Sequence, residues 1–95
     1  MLQAGASIVA LAALPAVPAA PVLRESEPDA TALEYTADAG RLDPALQPAF
    51  APGSRCAACY FYQGRKSSDY APCTVFAGWR VSARGWCREF KPRAG

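Results

Sequence analysis

Four cysteines, Cys56, Cys59, Cys73 and Cys87, constrain this 95-residue chain more than any other feature. All lie in the last 40 residues, as a Cys-x2-Cys pair, a 13-residue gap, a third Cys, a second 13-residue gap and a fourth. Nine of the ten aromatic residues fall between Phe50 and Phe90, interleaved with them. A domain of this size buries too little apolar surface to stabilise itself easily and usually needs a covalent or metal staple. Four soft thiolates set among aromatic rings suit a soft metal centre kept from water.

Not all of the chain belongs to that domain. From Ala4 to Leu23 there is no charge, and Ile8 to Ala20 is almost wholly Ala, Leu, Val, Ile and Pro. Pro15 and Pro18 make it a poor membrane span, which needs roughly 20 apolar residues. It fits the apolar part of a secretory signal, with Val17-Pro18-Ala19 as a small-residue cleavage site. No Lys or Arg precedes Arg24, so the basic opening of such a signal is missing. Met1 to Ser7 resembles the stretch that follows the arginines of a twin-arginine signal, a route that carries folded proteins. The expected organisation is a truncated export signal at 1–19, a flexible lead-in at 20–30 and the domain at 31–95, with periplasmic location and no stable membrane insertion.

Charge is divided along the chain. Residues 24–55 carry three basic and six acidic groups, and residues 56–95 carry seven basic groups against Asp69 and Glu89, which gives the net +2. The basic groups are scattered singly, so they read as a solvated face rather than a nucleic-acid surface. A four-thiolate metal centre is negatively charged, and nearby Arg and Lys would offset it.

Local signals predict two short helices and a small twisted antiparallel sheet. Ala30 to Ala39 reads as a helix capped by Asp29 or Thr31 and stopped by Gly40. Asp43-Pro44 starts a second helix of about one turn, closed by Pro48. Thr74-Val75-Phe76 and Trp79 to Ser82 read as strands joined through Ala77-Gly78, while Tyr60-Phe61-Tyr62 has strand propensity without alternation.

The cysteine spacing excludes several centres. Covalent haem needs His after the second Cys, where Tyr60 stands, and a Rieske centre needs two histidines, where the chain has none. Neither ferredoxin spacing occurs, and a rubredoxin-like or zinc-ribbon site lacks its second Cys-x2-Cys pair. A thioredoxin-like dithiol needs a βαβ unit that the chain is too short to hold. A four-iron cluster, a closed four-thiolate zinc site and two disulfides remain. The surrounding rings are either an ordinary aromatic core or bulk that keeps water from iron and sulfide.

Residues 32–95 resemble the high-potential iron–sulfur proteins. The resemblance is carried by Ala32-Leu33-Glu34-Tyr35, Asp38-Ala39, Asp43, Cys56-Ala57-Ala58-Cys59 with Phe61-Tyr62, Cys73 with Phe76, Gly78, and Gly85-Trp86-Cys87 with Phe90. It implies a small, mostly irregular α+β metalloprotein domain wrapped around one cubane [4Fe-4S] cluster. It also implies that Cys56, Cys59, Cys73 and Cys87 are the ligands, that Tyr35 packs against the cluster, and that Phe61, Phe76, Trp86 and Phe90 shield it. Phe90 departs from the Trp of many members, and the loop from Cys59 to Cys73 is short for the family. The implied role is a one-electron carrier cycling between the 2+ and 3+ states, not an enzyme. The implied partners are a cytochrome bc-type complex, a reaction-centre cytochrome or a terminal oxidase, met in transient complexes, with weak homodimerisation as a further expectation. The competing roles are an interaction module stapled by zinc or disulfides and a dedicated donor to a single enzyme such as a sulfur-compound oxidase.

Overall fold

The computed structural model of the chain describes residues 19–65 and 67–94. The apolar segment read as an export signal lies outside the described residues, except for Ala19. Among the described residues, no helix is long and apolar enough to cross a membrane.

Among the described residues regular structure is sparse, and each short piece has a local cause. Helix α1, Pro28–Ala32, begins with Pro at its first position, where the missing N–H costs nothing, and has Asp29 in its first turn. The predicted extension to Ala39 does not form. Glu34 adopts φ 54°, and the chain closes as a left-handed cap: Tyr35 N–H donates to Ala30 O (2.8 Å) and Glu34 N–H to Thr31 O (3.1 Å). The helix therefore ends at Ala32, seven residues before Ala39, and Gly40 instead sits in a 3-10 turn, Ala39–Arg41, capped by the Asp38 side chain. At Asp43 the carbonyl accepts the N–H groups of Leu46 and Gln47, and the carboxylate accepts that of Ala45. This is a single turn, as the following Pro48 dictates.

The sheet has two strands, β1 at Tyr70–Pro72 and β2 at Arg80–Ser82, paired antiparallel with Ala71 opposite Val81. The first strand thus precedes Cys73 rather than following it. Residues 74–76, expected as strand, form a turn in which Phe76 N–H donates to Cys73 O (3.1 Å), and Gly78 (φ 88°) completes the reversal toward β2. Single bridges knit the remaining chain: Thr36 with Trp86, Cys59 with Pro92 and Tyr62 with Cys73.

The lead-in at 20–30 is packed into the domain, contrary to the sequence expectation. Val22 bridges Arg80, Leu23 N–H donates to Arg80 O (2.8 Å), and Leu23 is 2 % exposed. Burying a Leu of this kind is worth about 1.5–3 kcal/mol, which helps to dock the segment as a second strand-like neighbour of β2, beside β1. The Glu25 carboxylate then ties the same segment to Ala37 N–H (2.7 Å) and Arg41 (2.6 Å).

Among the described residues two apolar clusters make up the core. The larger contains all four cysteines with Tyr35, Tyr62, Phe76 and Val81; the smaller contains Ala39, Phe50 and Trp86. Phe90 packs against both. Gly85 lies where strands of chain cross: a side chain there would meet Thr36 O at 2.6 Å and Ser82 O at 3.1 Å. That close approach lets the 85–87 segment run between residue 36 and residue 56.

Candidate metal centre

The Cys-x2-Cys pair occupies a 3-10 turn, Cys56–Ala58, closed by Cys59 N–H donating to Cys56 O (2.9 Å). Such a turn brings its two thiols to one side. Cys56 is fixed to the far end of the chain by its N–H bond to Gly85 O (2.7 Å), two residues before Cys87. Cys73 is brought in by its bridge to Tyr62, flanked by Gln63 N–H to Pro72 O and Thr74 N–H to Phe61 O. Backbone pairing, rather than any long element, therefore sets all four positions.

The four cysteines are free and buried, and they line one small apolar cavity. Phe61, Tyr62, Val75, Phe76, Val81 and Phe90 complete its wall. Among the described residues, no three His, Cys, Asp or Glu side chains are gathered closely enough to hold a single metal ion. Four thiols spread around a common space suit a multi-atom cluster better than one zinc ion, whose ligands lie about 2.3 Å from one centre.

Electrostatics point the same way. Burial, and then the proximity of Cys87, Cys73 and Cys59, pushes the Cys56 thiol far up. Burial pushes Cys87 up to about 11 and also raises Cys73. Burial thus disfavours bare thiolates at Cys56, Cys73 and Cys87, and a cationic centre would offset that cost. Backbone amides already oppose the burial: those of Val75 and Phe76 favour ionised Cys73, and that of Glu89 favours ionised Cys87. These N–H groups exist because the chain turns tightly after each cysteine instead of continuing as strand. Hydrogen bonds of this kind to cluster sulfurs are a recognised means of setting reduction potential.

The residues expected from sequence separate into two groups. Cys56, Cys59, Cys73, Cys87, Phe61, Phe76 and Phe90 all line the cavity. Tyr35 and Trp86 are not part of its wall. Tyr35 packs in the same core cluster as the four cysteines, edge to face with Phe76 at 5.5 Å, with its hydroxyl accepting Ser82 N–H (3.0 Å) and burial pushing that hydroxyl up to about 12. Trp86, 1 % exposed, is turned into the smaller cluster against Phe50 (5.6 Å, 84°), and its indole N–H has no partner. Three further wall residues, Tyr62, Val75 and Val81, had no role at the centre assigned from sequence. Tyr62 belongs to the aromatic run after Cys59, so it was visible as a group. Val81 was visible only as the middle of an expected strand. Arg93 was missed altogether, although its guanidinium donates to Tyr62 O (2.6 Å) and Cys59 O (3.3 Å).

Known proteins agree with this geometry. Residues 22–94 match the sequence model of the high potential iron–sulfur protein family. The chain is 38 % identical over 93 residues to the high-potential iron–sulfur protein of Ralstonia nicotianae, covering 98 % of this chain and 88 % of the relative. It is 41 % identical over 71 residues to isozyme 2 of Ectothiorhodospira shaposhnikovii, covering 75 % of this chain and 96 % of the relative. The structure superposes on the oxidised high-potential iron–sulfur protein of Ectothiorhodospira vacuolata with a TM-score of 0.71 at 40 % identity, over 77 % of this chain and 99 % of that one. The chain belongs to the high-potential iron–sulfur protein family, whose members are electron carriers with a [4Fe-4S] cluster.

Proposed function

We propose that this family member is a periplasmic one-electron carrier in photosynthetic or respiratory electron transfer, and that Cys56, Cys59, Cys73 and Cys87 hold its [4Fe-4S] cluster. The observation that carries the reading is the small apolar cavity lined by four free, buried thiols. When bound, the cluster supplies a single reversible electron between its 2+ and 3+ states.

The chain's own contribution is a rigid, dry setting. Phe61, Tyr62, Phe76 and Phe90 exclude water on the cavity wall, and Val75 and Val81 fill the spaces between the rings. The amides directed at Cys73 and Cys87 stay fixed by turn geometry, so they need not reorganise when charge changes. Exclusion of water and few compensating charges favour the less negative, oxidised couple expected of the family. Donor and acceptor would be a cytochrome bc-type complex on one side and a reaction-centre cytochrome or terminal oxidase on the other. The uncharged segment from Ala4 to Leu23 supports export by the twin-arginine route.

Electron paramagnetic resonance on purified holoprotein, as isolated and after mild oxidation, tests the carrier reading. A silent sample that gains a fast-relaxing signal with g values above about 2 on oxidation is the expected result. No signal and no iron would return the cysteines to zinc or disulfides. Cell fractionation tests the location, and a cytoplasmic holoprotein would remove it.

A further inference from the structure

Tyr60 is the aromatic that leaves the core beside the metal centre. It lies between Cys59 and Phe61, both on the cavity wall, yet its side is turned outward and the residue is 57 % exposed. The other large exposed apolar residues, Val22, Leu46 and Tyr70, neighbour no cavity-lining residue in sequence. The Tyr60 ring meets the Phe61 ring edge to face, centroids 5.3 Å apart at 87°. Two rings in contact therefore connect solvent to the cavity. The position is held by Tyr60 N–H donating to Lys91 O (2.7 Å) and by the bridge from Cys59 to Pro92.

The same C-terminal strand segment brings cations. The Lys91 ammonium lies 4.9 Å from the centre of the Tyr60 ring, a cation–π contact. Arg93 is anchored to the carbonyls of Cys59 and Tyr62. Among the described residues neither Lys91 nor Arg93 is ion-paired, whereas Arg41 and Arg88 are paired with Glu25 and Glu34. Glu89, exposed two residues before Lys91, pairs with neither. An exposed aromatic anchor rimmed by unpaired cations is complementary to an acidic surface, and such complementarity steers encounter more than it tightens binding.

We propose that the Tyr60–Lys91 surface is the port through which this carrier exchanges electrons, docking a one-electron redox protein whose exposed centre is rimmed by Asp and Glu. The proposal rests on the electron-carrier reading. One electron passes between the two redox centres; no bond forms or breaks and no proton is transferred.

Stopped-flow kinetics of the holoprotein with an anionic hexacyanoferrate and a cationic tris(phenanthroline)cobalt complex tests it. Lys91→Glu is expected to slow the anionic probe roughly 3- to 10-fold and to speed the cationic one, with both effects fading at high salt. Arg24→Glu, the same change in net charge on the segment beside β2, is expected to change either rate less than about 2-fold. Lys91→Gln, which keeps an apolar stem near the ring, should show the same sign at a smaller size, and Tyr60→Ser should slow both probes. Equal effects of Lys91→Glu and Arg24→Glu, or unchanged rates in Tyr60→Ser, would overturn the port. Those results in a protein that shows the oxidised-cluster signal overturn the port alone; loss of the signal in the wild type overturns the carrier reading instead.

Discussion

The guanidinium of Arg93 donates a 2.6 Å hydrogen bond to the carbonyl of Tyr62, across 31 residues of sequence. A second bond, at 3.3 Å, reaches Cys59 O, and Arg93 N–H donates to Ala58 O (2.9 Å). The C-terminal segment thus clamps the Cys-x2-Cys loop and sets a fixed positive charge beside the cavity.

A positive charge stabilises the more reduced, more negative state of a nearby redox centre. Arg93→Gln should therefore lower the reduction potential of the holoprotein by about 20–60 mV, the larger figure being near tenfold for one electron. Arg93→Lys should recover most of that loss, because it keeps the charge though not the planar donor pair. Protein-film voltammetry gives the values. Equal potentials in Arg93→Gln and wild type would reduce the clamp to a mechanical role.

Glu34 spends conformational energy at φ 54° to end helix α1. Its carboxylate is held by Arg88 (3.1 Å) and by Gln47 (3.0 Å), both at the surface. Glu34→Gly and Glu34→Ala lose these contacts equally, so their difference isolates the left-handed backbone. The Gly variant should be about 1 kcal/mol more stable than the Ala variant in denaturant unfolding. Equal midpoints would mean that the cap relaxes in the variants.

The Glu25 carboxyl is held below its ordinary 4.5, first by the Ala37 amide and then by the Arg41 charge, with burial acting against both. A folded value depressed below the unfolded one adds stability above the unfolded value, and this is lost as pH falls through the folded value. The melting-temperature advantage of wild type over Glu25→Gln should therefore be flat above about pH 4.5 and shrink in more acidic solution. The side chain is 43 % exposed, so a difference of only a few degrees is expected at most. A gap that stays constant on acidification would detach the 20–30 segment from this carboxylate.

Phe76 lines the cavity, and Trp86 does not. Phe76→Ala opens the wall and should shorten the lifetime of the oxidised holoprotein several-fold more than Trp86→Phe, which keeps the smaller cluster filled. Bleaching of the visible absorption after oxidation follows it. Equal lifetimes would show that water enters by another route.

The chemistry of the site was legible in the chain. Cysteine count, spacing and the Gly85-Trp86-Cys87 motif are contiguous features, and the exclusion of haem, Rieske and ferredoxin centres needed only neighbours in sequence. The single turn at Asp43-Pro44 was legible for the same reason: its cap and both prolines are local. The end of α1 was not. Nothing in Ala30 to Ala39 forbids a longer helix, and the left-handed turn at Glu34 is settled by Tyr35 having to reach Ser82 and Phe76. The strand expected at 74–76 failed because the chain must wrap the cavity there, which turns amides onto Cys73.

What the sequence by itself determined is which atoms are present to bind a cluster, because thiol chemistry belongs to the residue. The tertiary structure decided which side chains enclose it, because facing is a property of backbone pairing. Trp86 and Cys87 are adjacent, and neighbouring residues in extended chain point to opposite faces. With Thr36 paired to Trp86, Cys87 faces the cavity and the indole turns to Phe50. Likewise Arg93 reaches the Cys-x2-Cys loop only because Pro92 pairs with Cys59, a contact between segments that share no sequence signal.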